Sequence, residues 1–250
     1  MLSTIYILWL RQIKRYIRSK SRIIGSLGQP ILFLLALGYG FGPVFQQAGK
    51  GNYINFLVPG VVGMGIIFTA IFSGIEVIWD RQFGFLKETL VAPVSRYNIM
   101  IGRTLGGATV AVMQGVVVFL LSLLTGFHPV SWAVMPLVLL VMFLVAILFT
   151  ALGTAIASRL EDMQGFQLIM NFLVMPLFFL SGSLFPLGES GQGVIGTIAK
   201  FDPLSYGIDA MRGLLVGGYH FGLGTDITVL SLITIVFVII GGYLFSKIEI

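Results

Sequence analysis

The sequence predicts an all-α, polytopic membrane protein with six transmembrane helices. Hydrophobic residues make up 57% of the 250 residues and charged residues only 10%, whereas soluble domains contain about 45–50% and about 25%. The mean hydropathy is +1.00, and the apolar runs are long and unbroken. Because a β-barrel would alternate apolar and polar residues over short strands, these runs favour membrane helices. The chain has no cysteine, which excludes disulfides and thiol chemistry.

Residues 1–22 predict an amphipathic helix on the membrane surface. One face carries four arginines: Arg11, Arg15, Arg18 and Arg22. The opposite face carries apolar side chains: Trp9, Ile13, Tyr16 and Ile17. The charges follow an apolar run, whereas in a secretory signal they precede it. The basic residues of this segment supply most of the net charge of +5, so that charge does not indicate nucleic-acid binding. They are Arg11, Lys14, Arg15, Arg18, Lys20 and Arg22. The helix either anchors and orients the chain or docks a partner.

Six apolar segments have lengths close to the about 20 residues that cross about 30 Å of hydrocarbon. They are residues 23–44, 53–78, 104–125, 132–157, 166–185 and 227–245. Twelve of the 15 lysines and arginines lie before the first span or after the second, fourth and sixth spans. Because these residues accumulate on the cytoplasmic side, both termini are predicted to be cytoplasmic. The connecting loops leave no room for a soluble domain, so residues 1–250 form a single transmembrane domain.

Several kinds of chemistry are missing from the sequence. It contains neither a G-x-x-x-x-G-K-[ST] loop nor an H-E-x-x-H motif, so no nucleotide, metal or catalytic site is predicted and the chain is not expected to be an enzyme. No predicted span carries a charged residue at its centre, where ion-coupled carriers commonly have one. Glu76, at the end of the second span, is expected to reach the interface. The amides Gln114, Gln167 and Asn171 either bond between helices or contact a substrate.

The loop at residues 80–103 predicts a short helix over residues 85–90. Its apolar residues Phe85, Leu86 and Leu90 are expected on one side, with Lys87 and Glu88 elsewhere. A proline at position 93 ends the helix. An apolar side below the membrane indicates contact with a soluble partner. The alternative, a solvated loop that carries cytoplasmic positive charge, accounts for the basic residues but not for the apolar side.

Residues 186–226 form the largest segment on the predicted outer side. Asp202 precedes Pro203, so an extended conformation is expected there, and its carboxylate is placed to cap the helix that the proline begins. Asp209 and Arg212 lie three residues apart on that helix, a spacing that allows an ion pair. We expect these residues to hold the shape of a re-entrant hairpin between the fifth and sixth spans.

Three motifs resemble those of the type 2 ABC exporter permeases, a group that includes drug-resistance, nodulation-factor and polysaccharide exporters. They are L-V-P-G at 57–60, R-Q-F-G-F-L-K-E-T-L-V-A-P-V-S-R at 81–96, and S-G-S-L-F-P at 181–186 followed by F-D-P-L-S-Y-G-I-D-A-M-R-G at 201–213. The resemblance covers nearly the whole chain, with the motifs in the family's order within a six-span layout. Asp202 departs from the asparagine that often precedes this proline in the family.

The resemblance implies a homodimer in the lipid bilayer that binds two copies of a cytoplasmic ABC ATPase subunit, which holds ATP-Mg. Residues 85–90 would be the coupling helix, residues 1–22 the interface helix, and residues 158–162 a second, smaller contact. The set implied in coupling to the ATPase is Arg81, Phe85, Leu86, Lys87, Glu88, Leu90, Pro93 and Arg96. The set implied in the outer gate and hairpin is Phe178, Phe179, Ser181, Gly182, Phe185, Pro186, Asp202, Pro203, Tyr206, Asp209 and Arg212. The aromatic residues near the outer end either gate the pathway or only pack.

The predicted function is that of a permease subunit in an ATP-driven exporter of the cytoplasmic membrane. A hydrophobic or amphipathic substrate, drug-like or lipid-like, would cross at the homodimer interface, because the spans offer almost no charge. Two alternatives stay open: a permease for a lipid-linked polysaccharide, and an autonomous channel or carrier without an ATPase. A lipid-modifying enzyme would need an activated nucleophile or a metal site, and the sequence displays neither.

Overall fold

A computed structural model describes residues 2–47, 52–91, 93–187 and 194–248, and for Val194 and Ile195 it describes the backbone alone. These residues form eleven α-helices and one 3₁₀-helix. In chain order they are α1 (Leu2–Arg18), α2 (Lys20–Gln47), α3 (Tyr53–Phe72), α4 (Ile75–Gln82), α5 (Phe85–Val91), α6 (Arg96–Leu123), the 3₁₀-helix (Trp132–Val134), α7 (Met135–Ala157), α8 (Met163–Leu180), α9 (Val194–Ala199), α10 (Pro203–Val216) and α11 (Leu223–Ser246).

Six helical segments are long and apolar enough to cross a membrane, which confirms the predicted number of spans. They are Lys20–Gln47, Tyr53–Gln82, Arg96–Leu123, Trp132–Ala157, Met163–Leu180 and Leu223–Ser246. The third span begins earlier than predicted, because the buried Arg103 is paired with Asp80 and a paired charge is tolerated there. The fifth span ends earlier than predicted, because Gly182 turns the chain with a φ of 74°.

The helices of the bundle run alternately in opposite directions, which gives the domain two ends. At one end, Gln82 donates a hydrogen bond to the carbonyl of Glu161, so the end of α4 meets the loop between α7 and α8. At the other end, the Tyr53 hydroxyl donates to the carbonyl of Leu184, 3.0 Å away. We call the first the α1 end, because α1, α4 and α5 meet there, and the second the α10 end.

The amphipathic helix α1 packs along α6 through two glycines. A Cβ atom at Gly106 would lie 2.6 Å from Cγ of Gln12, and one at Gly102 would lie 3.0 Å from Cβ of Leu8. Small residues let membrane helices approach closely in this way. On the predicted apolar face, Tyr16 is buried in the bundle and Ile17 is 54% exposed, which leaves it available for contact with lipid. The predicted basic face is interrupted, because α1 ends at Arg18 and the fourth arginine of that face lies on α2.

Helix α3 lies at the centre of the core and touches α7 at backbone distance. A Cβ atom at Gly153 of α7 would overlap the backbone carbonyl of Ile71. On the other side of the same contact, a Cβ atom at Gly74 would lie 2.5 Å from the carbonyl oxygen of Gly153. Backbone atoms cannot turn aside as a flexible side chain can, so the two glycines set the spacing of these helices.

Gly153→Ala is therefore expected to lower the free energy of unfolding by about 1–3 kcal/mol, the usual range for overpacking a filled core. The measurement is a titration of the purified protein from mild detergent into dodecyl sulfate, followed by circular dichroism. Gly40→Ala is the matched control, because a Cβ atom there meets no atom within 4 Å and alanine is favoured over glycine in a helix by up to about 1 kcal/mol. Equal effects of the two substitutions would contradict the close contact.

Candidate functional site

Two buried carboxylates on α4 bind the arginines of three other helices. Asp80 accepts hydrogen bonds from the buried Arg103 of α6 and from Nη2 of Arg11, the latter at 3.3 Å. Glu76, one helical turn earlier, lies 3.0 Å from Nη1 of Arg22 and 3.5 Å from Nη1 of Arg15. We call these six residues the α4 ion-pair cluster: Arg11, Arg15, Arg22, Glu76, Asp80 and Arg103.

The α4 ion-pair cluster corrects the expectation that Glu76 only reaches the interface. Its side chain is 6% exposed, as is that of Asp80. Both carboxylates are paired, as buried charges must be to offset the loss of hydration. The sequence does hold a signal for this arrangement, since Arg11 and Arg15 on α1 have the same spacing of four residues as the two carboxylates.

The helix predicted over residues 85–90 is present as α5, and Gly84 makes the turn into it with a φ of 81°. Leu86 is 2% exposed, and Leu90 packs against the core beside it. Phe85 does not share their side, because it is 53% exposed. The prediction of one common apolar side is therefore wrong at this residue. Consecutive side chains of an α-helix point about 100° apart, so Phe85 and Leu86 cannot share one face.

An apolar patch and a basic groove lie side by side at the α1 end. We define the α5 patch as Phe83 and Phe85, which lie at the turn into α5 and are 71% and 53% exposed. The adjoining groove has a volume of about 580 Å³. It is lined by Arg11, Arg15, Trp79, Asp80, Phe83, Phe85 and Met163. The groove has two arginines and one carboxylate and is therefore basic. An acidic surface would complement the groove, and an apolar surface would complement the α5 patch.

The other residues of the predicted coupling set do not lie together. Lys87 and Glu88 are exposed on α5, and Pro93 is exposed after the end of that helix. Arg81 lies 3.4 Å from the carboxylate of Glu161, so the loop at 158–162 is next to α4. Arg96 points the other way: its Nη1 donates to the carbonyls of Ser246 and Ile248 at 2.7 and 2.9 Å. That arginine ties α6 to the end of α11.

At the α10 end, the predicted outer segment contains the short helices α9 and α10, and its residues 188–193 lie outside the described residues. Asp202 caps α10 as predicted, accepting from the amide of Leu204 at 2.8 Å. The hydroxyl of Tyr206 donates to the carbonyl of Lys200. These bonds, with Pro203 at the first position of α10, fix the start of the helix.

The described ion pairs do not include one between Asp209 and Arg212, which the spacing allows. Asp209 accepts from the amides of His220 and Phe221 at 2.7–2.9 Å, which closes the turn between α10 and α11. Arg212 donates to the carbonyl of Gly182 at 2.9 Å. Backbone groups at these short distances take the place of the expected partner. Burial lowers the pKa of Arg212 to about 10, so the side chain is charged at neutral pH.

The remaining residues of the predicted outer set surround the end of α8. Phe178 and Ser181 are buried, and the Ser181 hydroxyl donates to the carbonyl of Phe178. Phe179 and Phe185 are 46% and 56% exposed, and Pro186 is also exposed. The sequence did not single out Asp226, which lies fully buried in the first turn of α11. Neither of its carboxyl oxygens has a hydrogen-bond partner among the described residues.

Burial gives Asp202 an unusual protonation behaviour. It raises the pKa of this carboxyl from 3.8 to about 7, because the side chain is 4% exposed and only Oδ1 has a hydrogen-bond donor. The folded protein therefore binds a proton more tightly than the unfolded chain does. It follows that the contribution of Asp202 to stability is largest below pH 4 and is lost as the pH rises to about 7.

Asp202→Asn is expected to raise the free energy of unfolding at pH 8 by up to about 4 kcal/mol, the equivalent of the full pKa shift. Asparagine caps a helix as well as aspartate does and carries no charge to desolvate. At pH 4 the variant and the parent should have equal stability. Denaturation curves at the two pH values check this, and a variant less stable than the parent at pH 8 would show that the carboxylate is favoured as an anion.

A cavity of about 370 Å³ lies among α1, α2, α3 and α6, on the α1 side of the domain. Phe33 of α2 meets Phe178 of α8 edge-on, with ring centroids 6.1 Å apart, on the side of the cavity nearer the α10 end. Gln167 of α8 lines the cavity, whereas Gln114 accepts a hydrogen bond from the hydroxyl of Tyr16. Of the three predicted amides, Gln114 thus bonds between helices and Asn171 is exposed.

Comparison with known proteins identifies the family. The family model described as "ABC-2 type transporter" matches residues 3–216. Nodulation protein J of Rhizobium leguminosarum bv. trifolii is 27% identical over 197 residues, which are 78% of this chain and 74% of that protein. The probable doxorubicin resistance ABC transporter permease protein DrrC of Mycobacterium tuberculosis is 28% identical over 216 residues, 83% of this chain and 75% of that protein. The putative transport permease ycf38 of Porphyra purpurea is 28% identical over 198 residues, 78% of this chain and 68% of that protein.

The six membrane-spanning helices and the absence of a P-loop motif from the sequence agree with this match. The family implies association with an ABC ATPase, which hydrolyses the nucleotide on a separate subunit. The chain therefore belongs to the ABC-2 type transporter family and is the transmembrane permease of an ABC transporter.

Proposed function

We propose that this permease is the membrane subunit of an ATP-driven exporter and works as a homodimer with two copies of a cytoplasmic ABC ATPase. The observation that carries the proposal is the α5 patch, an exposed apolar surface on a helix whose other side is anchored in the core by Leu86. Exposed apolar surface at the tip of a short helix, next to a basic groove, supports docking into a cleft of a soluble subunit. ATP-Mg binds to the partner subunit.

The α4 ion-pair cluster supports a path from that partner to the cavity. α5 follows α4 directly, and α4 is held to α1, α2 and α6 by ion pairs. Arg22 and Glu76 of the cluster also line the cavity. When the two ATPases close on ATP, they push on α5, and α4 passes the movement to the helices around the cavity.

The orientation follows from the positive charge. The α1 end carries the basic residues of α1 and of the loop around α5, which supports a cytoplasmic location for this end and for both termini. The α10 end, with α9 and α10, then forms the re-entrant outer segment, and Phe33, Phe178 and Phe179 close the pathway toward it.

The surfaces of α2 and α8 support the dimer. Both helices expose large apolar side chains and also line the cavity, whereas α11, which is as exposed as α8, does not line it. A second copy placed on these faces would enclose the pathway between the subunits. The substrate is hydrophobic or amphipathic, drug-like or lipid-like. A lipid-linked polysaccharide is the second candidate, because the exporter group that the sequence resembles includes polysaccharide exporters.

Purification of the tagged permease from the membranes of its source tests the central part of the proposal. The expected result is a stable complex that contains a P-loop ATPase, whose hydrolysis is coupled to the permease in proteoliposomes. A permease that is isolated alone, and that still moves lipophilic dyes across a proteoliposome membrane without ATP, would identify an autonomous channel or carrier.

A further inference from the structure

The cavity presents hydrogen-bonding side chains that the protein itself does not use. Gln12 of α1, Gln29 of α2, Thr69 of α3 and Gln167 of α8 line it. Within the described part of the chain, none of these four side chains makes a hydrogen bond, although each reaches the cavity from a different helix. An amide both donates and accepts. Three amides and one hydroxyl therefore offer complementary partners to hydroxyl or amide groups of a ligand.

The rest of the cavity wall is apolar. Met64, Phe68 and Phe72 lie on one stripe of α3, and Pro30 of α2 and Val110 of α6 face them. A volume of about 370 Å³ lies within the range of about 300–1,000 Å³ that small-molecule sites occupy, and such sites combine an apolar wall with a few polar groups. The wall thus fits part of a hydrocarbon chain or a ring system beside the four polar side chains.

The charged side chains of the cavity wall are already paired with each other. Its two charged side chains are Arg22 and Glu76, joined at 3.0 Å. The second carboxylate oxygen of Glu76 lies near Arg15, whose guanidinium covers the ring of Trp79 in the groove outside the cavity. A cationic ligand would meet the excess positive charge of Arg15 and Arg22 around one carboxylate. An anionic ligand would have to compete with Glu76 for these arginines, so either charge would lose its hydration without a free partner, which is costly. An uncharged ligand has no ionic hydration to lose and does not pay this cost.

We propose that the cavity binds an uncharged amphiphile, with its apolar part against the α3 stripe and a hydroxyl- or amide-bearing head group among Gln12, Gln29, Thr69 and Gln167. This deepens the proposed function, on which it rests for the transport of such a ligand. The binding itself does not require the ATPase, so it is tested on the permease alone.

The absence of cysteine from the sequence allows a clean test. Gly25 lines the cavity, and a Cβ atom there meets no atom within 4 Å. Gly28 is equally open and lies on the same helix, but it does not line the cavity. Gly25→Cys and Gly28→Cys are prepared in lipid nanodiscs, and their reaction rates with a membrane-permeant maleimide are compared. The probes are monolauroylglycerol, monolauroylglycerol phosphate and dodecyltrimethylammonium, which share one chain length and differ in head-group charge. Each is kept below the concentration that dissolves the nanodisc.

Monolauroylglycerol is expected to slow the reaction of Gly25→Cys about tenfold at saturation, and the two charged probes to bind at least about tenfold more weakly. Gly28→Cys should react at the same rate with and without each probe. Adding Gln12→Leu and Gln29→Leu to Gly25→Cys should weaken protection by monolauroylglycerol roughly tenfold, as the loss of two neutral hydrogen bonds predicts. Equal elution in gel filtration confirms that these variants are folded.

Three results would overturn the proposal: equal protection by a charged probe, protection of Gly28→Cys, or protection that survives the two glutamine substitutions. These outcomes are distinct from failure of the proposed function. If an ATPase is purified with the permease and monolauroylglycerol gives no protection, only the ligand class is wrong. If protection is seen and no ATPase is found, the ligand-binding site is supported and the proposal of ATP-driven export is wrong.

Discussion

Phe85→Asp is expected to weaken binding of the ATPase by roughly thirtyfold or more, because loss of an aromatic anchor from an interface commonly costs at least about 2 kcal/mol. ATP-driven transport should be lost with it. The side chain is 53% exposed, so the charge does not enter the core and the permease should unfold at the same denaturant concentration as its parent. Titration of the purified permease with the ATPase measures the affinity.

Phe201→Asp is the matched control for that experiment. Phe201 is also exposed, at 84%, and lies at the α10 end of the domain. Its substitution should leave the affinity for the ATPase unchanged. Leu86→Asp provides the opposite comparison, because Leu86 is buried and its replacement should destabilise the fold before it affects docking. An unchanged affinity in Phe85→Asp would remove the α5 patch from the interface.

Asp80→Asn should lower the free energy of unfolding by about 3 kcal/mol or more, as the loss of one partner from a buried ion pair usually does. The substitution leaves the buried Arg103 without a counter-charge, and its Nε already has no hydrogen-bond partner among the described residues. Denaturation in detergent, followed by circular dichroism, measures the change.

Glu161→Gln is the control, because it removes a carboxylate from an ion pair in which the side chain is 80% exposed. Exposed pairs contribute about 0–1 kcal/mol. Joint replacement of Asp80 by Leu and of Arg103 by Met should recover most of the stability, since apolar side chains fill the site without needing a partner. If Asp80→Asn cost no more than Glu161→Gln, the α4 ion-pair cluster would not hold the helices together.

The sequence was sufficient to predict the number of spans, the helix α5 and the cap at Asp202. Each of these depends on local information: apolar length, a short helical pattern before a proline, and an aspartate before Pro203. Hydrophobicity also indicates that α2 and α8 lie in the membrane. It does not tell which of their faces is covered, since lipid and protein are equally apolar.

Contacts between distant parts of the chain could not be predicted in the same way. Glu76 and Asp80 are the main example. Their partners on α1 and α2 lie 54 to 69 residues away in the sequence. Arg212 likewise binds the carbonyl of Gly182 instead of Asp209, three residues away. Sequence spacing identifies neighbours on one helix, but it does not identify a backbone carbonyl from another segment that lies closer in the folded protein.

The most direct test of the account is chemical cross-linking of the complete transporter from opposite ends of the permease. The single cysteines are Lys87→Cys, next to the α5 patch, and Lys200→Cys, at the α10 end. Both replace exposed lysines in a chain that has no other cysteine. Each is labelled with maleimide-benzophenone and irradiated in the assembled complex. The account predicts that Lys87→Cys forms a cross-link to the ATPase and Lys200→Cys does not. A cross-link from Lys200→Cys alone would contradict it.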